Sequence, residues 1–145
     1  MTKTIETNIL IHASVEKVWA VLVDFDQYPN WNPFINSISG ELKVGQTIKV
    51  KIAAPDSKPM IFQPKILTFI PNKEFSWLGY LFFKSLFKGV HQFKLIDNGN
   101  GSTTFQHNEI FNGLLIPLLQ KQLDTKTKKG FEMMNIKLKE KAELL

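Results

Sequence analysis

GVHQFKLIDNGNGSTTFQHNEIF, residues 89–111, carries the pattern that decides the fold. Two runs of alternating apolar and polar residues flank DNGNG, whose Asn and Gly residues accept the left-handed backbone of a tight hairpin. Residues 89–96 and 102–111 therefore read as antiparallel strands. His91, Phe93 and Leu95 share a face of the first; Thr103, Phe105, His107, Glu109 and Phe111 share a face of the second. The phenylalanines mark that face as the inner one. Centring the turn on Gly99 sets Phe93 opposite Phe105 and His91 opposite His107. A slip of two residues keeps the same face inward, whereas a slip of one reverses it.

Working outward, residues 3–12 alternate, with Ile5, Thr7, Ile9 and Ile11 on one side and Glu6, Asn8 and His12 on the other. This is a half-buried strand. Ser14 is placed as an N-cap, with Glu16 in the first turn and Val15, Val18, Trp19 and Leu22 at helical spacing to about Asp24. DFDQYPNWNPFINS, residues 24–37, follows as a loop or one or two helical turns. Tyr28-Pro29 and Asn32-Pro33 disfavour α geometry at the residue before each proline. Trp31 and Phe34 then wall one end of a cavity or its adjoining core. Residues 34–39, 46–53, 60–70 and 74–78 read as further strands, and Pro64 implies an edge position or a bulge. GYLFFKSLFKG, residues 79–89, is apolar and bounded by glycines; strand and short helical loop both remain open. After Gly113 the chain reads as helix, with an inner stripe of Leu119, Leu123, Thr127, Phe131, Met134 and Leu138. Gly130 within it costs ~1 kcal/mol relative to Ala; it is either a tolerated defect or a point of close approach. The order is strand, short helices, antiparallel strands, long helix: an α+β domain of residues 1–145.

The 145 residues suffice for one self-supporting core, and 43% hydrophobic residues with 21% charged is ordinary for a globular chain. Twelve Phe make the interior greasy. The net charge of +5 comes with 18 basic residues that are all Lys. Without Arg the bidentate contacts that read phosphate and guanine are missing, so specific nucleic-acid binding is not expected and membrane contact is at most transient. There is no Cys, which excludes disulfides and thiol chemistry. No signal-like or spanning apolar run is present, so a cytoplasmic location is expected.

Inward polar groups need partners. His91, His107 and Glu109 are thus a satisfied polar group, a polar anchor in a ligand cavity, or a site of chemistry. The last would be a His–Glu acid–base pair or a two-His-one-carboxylate metal set, for which no second-shell partner can be named. No Gly-rich phosphate loop, GxSxG elbow or HExxH motif occurs. No metal or cofactor is implied.

SVEKVWAVLVDFDQYPNWNPFI (14–35), GELKVGQTIKVKI (40–52), LFKGVHQFKLIDNGNGSTTFQHNEIFNG (86–113) and GFEMMNIKLKEKAE (130–143) together resemble the START-like, or SRPBCC, superfamily. The nearest group is its bacterial polyketide cyclase/dehydrase and lipid-transport-like domains. The resemblance implies a helix-grip fold: a curved seven-stranded antiparallel sheet around a long C-terminal helix, with two short helices after the first strand and a deep hydrophobic cavity. Members of the superfamily bind lipids, sterols or aromatic metabolites, cyclise or dehydrate polyketides, or assist chaperones, so the fold does not settle the function. Mechanisms that place an Arg in the pocket cannot apply here.

The expected function is binding of a hydrophobic or amphipathic small molecule. Trp31, Phe34, Trp77, Phe93, Phe105, Phe111, Phe131 and Met134 would form the walls, and His91, His107 and Glu109 the polar anchors. The alternatives are a cyclase or dehydratase using His–Glu acid–base chemistry, and a protein-interaction module with a filled interior. Segment 79–89 is a candidate contact for ligand, membrane or a second copy in a homodimer.

Overall fold

The computed structural model describes residues 1–145. β1 (Thr2–Ile11) buries Ile5, Thr7 and Ile11 and exposes Glu6, Asn8 and Leu10. Ser14 accepts a hydrogen bond from the Lys17 amide and caps α1 (Val15–Leu22), whose buried face is Val15, Val18, Trp19, Val21 and Leu22. A 3-10 turn (Phe25–Gln27) and the single-turn α2 (Tyr28–Trp31) follow. Pro29 stands in the first turn of α2, where a missing amide hydrogen is not needed. The buried Tyr28 hydroxyl donates to the Leu22 carbonyl and ties this turn to α1. The Asn32 side chain then accepts from the amides of Phe34 and Ile35 at 3.0 and 2.9 Å, launching β2 (Ile35–Ser39).

Six more strands follow: β3 (Lys49–Ile52), β4 (Met60–Phe62), β5 (Lys65–Ile70), β6 (Glu74–Leu81), β7 (Phe87–Asp97) and β8 (Thr103–Asn112). The strand order is β1-β8-β7-β6-β5 in one sheet and β2-β3-β4 in the other. Eight strands replace the expected seven because Pro64 divides the 60–70 segment. Val50 pairs with Phe62 before the proline and Thr47 bridges Lys65 after it, in an unchanged register. The Ile48 amide donates to the Pro64 carbonyl, but Pro64 has no amide to donate in return. The two sheets thus meet along one antiparallel path that passes Pro64, and the whole forms an open, curved sheet.

The long hairpin has the expected faces in a different register. Phe93 pairs with His107, His91 with Glu109 and Leu95 with Phe105, two residues away from a turn centred on Gly99. The turn is centred on Asn100 instead, because the Asn98 amide bonds the Ser102 carbonyl. Asp97 and Asn100 side chains hold the Gly99 and Ser102 amides, and Gly99 and Gly101 take positive φ of 79° and 86°. The slip of two left the inward set unchanged. Segment 79–89 divides its behaviour: β6 continues to Leu81, a turn covers 82–86, and β7 begins at Phe87.

The C-terminal helical stretch is α3 (Ile116–Gln122), a π-helical turn (Leu123–Thr127) and α4 (Lys128–Glu143). α4 lies against β1, β8 and α1 and buries Phe131, Met134, Asn135, Leu138 and Ala142. At Gly130 an added Cβ would overlap the Phe34 ring, so the glycine is a point of close approach. No helix is long and apolar enough to cross a membrane.

Candidate functional site

A cavity of about 300 Å³ lies between the sheet and the helical stretch. Val50 and Ile52 of β3, Met60 and Phe62 of β4, and Trp77 and Leu81 of β6 form one side. Phe87, Gly89 and His91 of β7 and Glu109 and Phe111 of β8 form the floor. Leu119 and Gln122 of α3, with Leu123 and Thr127 of the π turn, close it from the helix side, beside Phe34. The π turn adds a residue to one helical turn and sits at the cavity, a place where such irregularities recur in proteins.

Of the residues expected to form the site, Phe34, Trp77, His91, Glu109 and Phe111 line this cavity. Phe93, Phe105, His107, Phe131 and Met134 are buried behind it, each essentially inaccessible, and are packed core rather than lining. Trp31 lies away from the cavity with its ring 5.1 Å from that of Tyr28. The reason is the depth of the inner layer. His107 stacks on Phe131 with ring centroids 4.1 Å apart and planes nearly parallel, and His91 stacks on Phe93 at 4.5 Å. These rings fill the space between β7–β8 and α4, so the cavity opens only beyond them.

The polar groups form one connected chain. Glu109 Oε1 lies 3.3 Å from His91 Nδ1. His91 Nε2 and His107 Nε2 are 2.7 Å apart, within hydrogen-bond distance. His107 Nδ1 is 2.9 Å from Asn135 Oδ1. The Asn135 amide donates to Thr7 Oγ1 at 2.9 Å, and the Thr7 hydroxyl donates to the His107 carbonyl at 2.7 Å. β1, β7, β8 and α4 each contribute at least one member. Glu109 has room because Gly89 stands beside its carboxyl; a Cβ there would overlap Oε2.

Burial sets the protonation tendencies. It pushes the Glu109 carboxyl up to about 8. It holds His107 down at about 3, against the opposing hydrogen bonds to Asn135 Oδ1 and to the Phe131 backbone. His91 is held well below 6.5 by burial and then by His107. An uncharged chain follows, because charge in this aromatic surround lacks the solvation it would have in water. The histidine nitrogens also hold each other, leaving no space between them for a metal with ~2.0–2.1 Å bonds to each. No three ligating side chains gather elsewhere.

Asn135 is the member that the helical stripe did not reveal. It follows Phe131 by four residues, on the same face, and a mid-helix Asn among Phe, Met and Leu was the available signal. Thr7 was placed on the inner face of its strand, but its partner lies 128 residues away and local pattern does not supply it.

The family model described as polyketide cyclase / dehydrase and lipid transport matches residues 2–142. Among solved structures, the Zhui aromatase/cyclase from Streptomyces sp. R1128 is similar at a TM-score of 0.79 and 12% identity, over 99% of this chain and 94% of that one. A Thalictrum flavum norcoclaurine synthase point mutant, in complex with a transition-state analogue, aligns at 0.75 and 14%, over 98% and 94%. Protein MLL2253 from Mesorhizobium loti aligns at 0.74 and 20%, over 98% of both chains. At these identities the likeness concerns the fold. A search of curated protein sequences found no match.

Proposed function

We propose, since the chain belongs to the polyketide cyclase/dehydrase and lipid transport family, that it binds a hydrophobic or amphipathic small molecule between sheet and helix. The observation that carries this reading is the cavity itself: mostly apolar walls, on which His91 and Glu109 stand side by side. Its volume is at the small end of the ~300–1,000 Å³ typical of ligand sites. A ring system or a single chain suits it better than a two-chain lipid. Each 100 Å² of apolar ligand surface buried contributes about 2.5 kcal/mol.

Native mass spectrometry of freshly purified protein, followed by extraction, tests the reading. A copurifying apolar molecule is expected, and Leu119→Trp, which fills the cavity rim, should lose it while the fold persists. If the parent carries no such molecule and binds no apolar fluorescent probe, the reading fails.

The rim supports a transient contact with an anionic bilayer. Beyond Leu81 on the cavity wall, Phe82 and Phe83 are 76% and 69% exposed, and Leu114 and Leu118 lie bare on the neighbouring segment. Lys84, Lys88 and Lys121 flank them in sequence. Flotation with anionic vesicles supports the contact; dimerisation through the same residues in its place would argue for a second copy instead.

The second reading is an acid–base enzyme of the cyclase or dehydratase kind. Glu109 at the cavity wall favours it, but both nitrogens of each histidine are already engaged, so proton transfer would fall to Glu109. Turnover of candidate ketones that survives Glu109→Ala would eliminate this reading.

A further inference from the structure

The chain from Thr7 to Glu109 runs in one direction only. A carbonyl oxygen has no proton, so the 2.7 Å contact between Thr7 Oγ1 and the His107 carbonyl uses the single hydroxyl proton of Thr7. Towards Asn135, Thr7 is then only an acceptor, so the nitrogen of the Asn135 amide faces Thr7 and its oxygen faces His107. That oxygen requires a proton on His107 Nδ1. A neutral His107 therefore presents a bare Nε2, and His91 must donate from its own Nε2 across the 2.7 Å contact. His91 Nδ1 is left as a lone pair, 3.3 Å from Glu109 Oε1. One proton has to stand between Glu109 and His91. On His91 it would create a cation between Phe93 and Phe131, with the side chain 1% exposed, and a carboxylate beside it. On Glu109 it creates no charge.

We propose that Thr7 and Asn135 orient this chain so that Glu109 stands in the cavity as an uncharged carboxylic acid, and that the site takes an uncharged, hydroxyl-bearing apolar ligand and rejects carboxylates. The ligand half of the proposal rests on the binding function above. Glu109 donates through one oxygen to His91. The other oxygen, over Gly89 at the cavity wall, accepts from the ligand hydroxyl. A ligand carboxylate there would meet acceptor against acceptor. The other titratable groups on the cavity are His91 of β7, Tyr80 of β6 and Lys58 between β3 and β4; Gln122 and Thr127, from the helix side, carry no charge. Burial, which keeps Glu109 protonated and His91 neutral, acts in the same sense.

The test follows the Glu109 Cδ signal of glutamate-labelled protein by ¹³C NMR across pH 5–9, assigned with Glu109→Gln, and compares 2-naphthol with 2-naphthoate by calorimetry at pH 6.5. A protonated Cδ shift at pH 6.5 is expected, with naphthol at least about tenfold tighter than naphthoate and the preference lost in Glu109→Ala. Thr7→Val frees the Asn135 amide to turn and reverse the chain, so His91 can then donate to a carboxylate. In that variant the Glu109 midpoint should fall by about one unit or more, a change that loss of packing alone would not produce. An ionised Glu109 at pH 6.5, a midpoint unmoved in folded Thr7→Val, or equal affinity for the two compounds overturns the proposal. If neither compound binds while Glu109 is protonated, the binding function fails, and the ligand half falls with it.

Discussion

Gly130 and Gly89 are the residues at which a single methyl group has the clearest consequence. In an exposed helix Gly→Ala gains ~1 kcal/mol. At Gly130 the new Cβ would strike Phe34, so Gly130→Ala should instead lower stability by about 1–3 kcal/mol and shift Phe34 from the cavity wall. Urea unfolding checks the sign; a stabilised variant would mean that Phe34 moves freely. At Gly89 a Cβ displaces the Glu109 carboxyl, so Gly89→Ala should separate Glu109 from His91 and weaken apolar-probe binding with the hairpin intact. Both glycines are visible in the sequence, and Gly130 was conspicuous there. What each one makes room for was not, because Phe34 and Glu109 arrive from other elements.

At the scale of elements, the β6–β7 turn and the polar chain behave differently. Phe82 holds a φ of 62°, unusual for a bulky residue, and makes no core contribution at 76% exposure. Phe82→Gly should therefore leave unfolding free energy within about 1 kcal/mol of the parent while reducing flotation with anionic vesicles. A large loss of stability would show that the turn belongs to the core. Thr7→Val has the opposite character. It keeps the shape of β1 but strips partners from the Asn135 amide and the His107 carbonyl, and should cost about 1–3 kcal/mol. The inward face of the β7–β8 hairpin was legible from alternation alone. Its register was not, since a two-residue slip leaves every side chain on the same face and only the Asn98–Ser102 bond and its side-chain clasps decide between the two.

For the whole molecule, the buried titrating groups oppose one another across pH. His91 and His107 bind protons less readily folded than unfolded, so their contribution is present above 6.5 and is lost as pH falls towards their lowered values. Glu109 is raised from 4.5 to about 8, so its contribution is present below 4.5 and is lost as pH rises through about 8. Between 4.5 and 6.5 two histidines outweigh one glutamate; above 6.5 the glutamate acts alone. Stability should peak near pH 6.5 and decline by up to about 1.4 kcal/mol per unit towards pH 8. Chemical denaturation at several pH values checks this, and Glu109→Gln should flatten the alkaline limb; a limb that persists in the variant would assign it to another group. The sequence by itself determined the α+β order, the inward faces of the strands, the cap of α1 and the greasy interior, because these follow from periodicity and local backbone chemistry. Only the tertiary structure decided which inward residues border empty space and which fill it, that Pro64 splits one strand into two, and that Thr7 and Asn135 complete the histidine chain. Those outcomes depend on the separation of packed layers and on partners more than a hundred residues apart, where the pattern along the chain holds no information about distance.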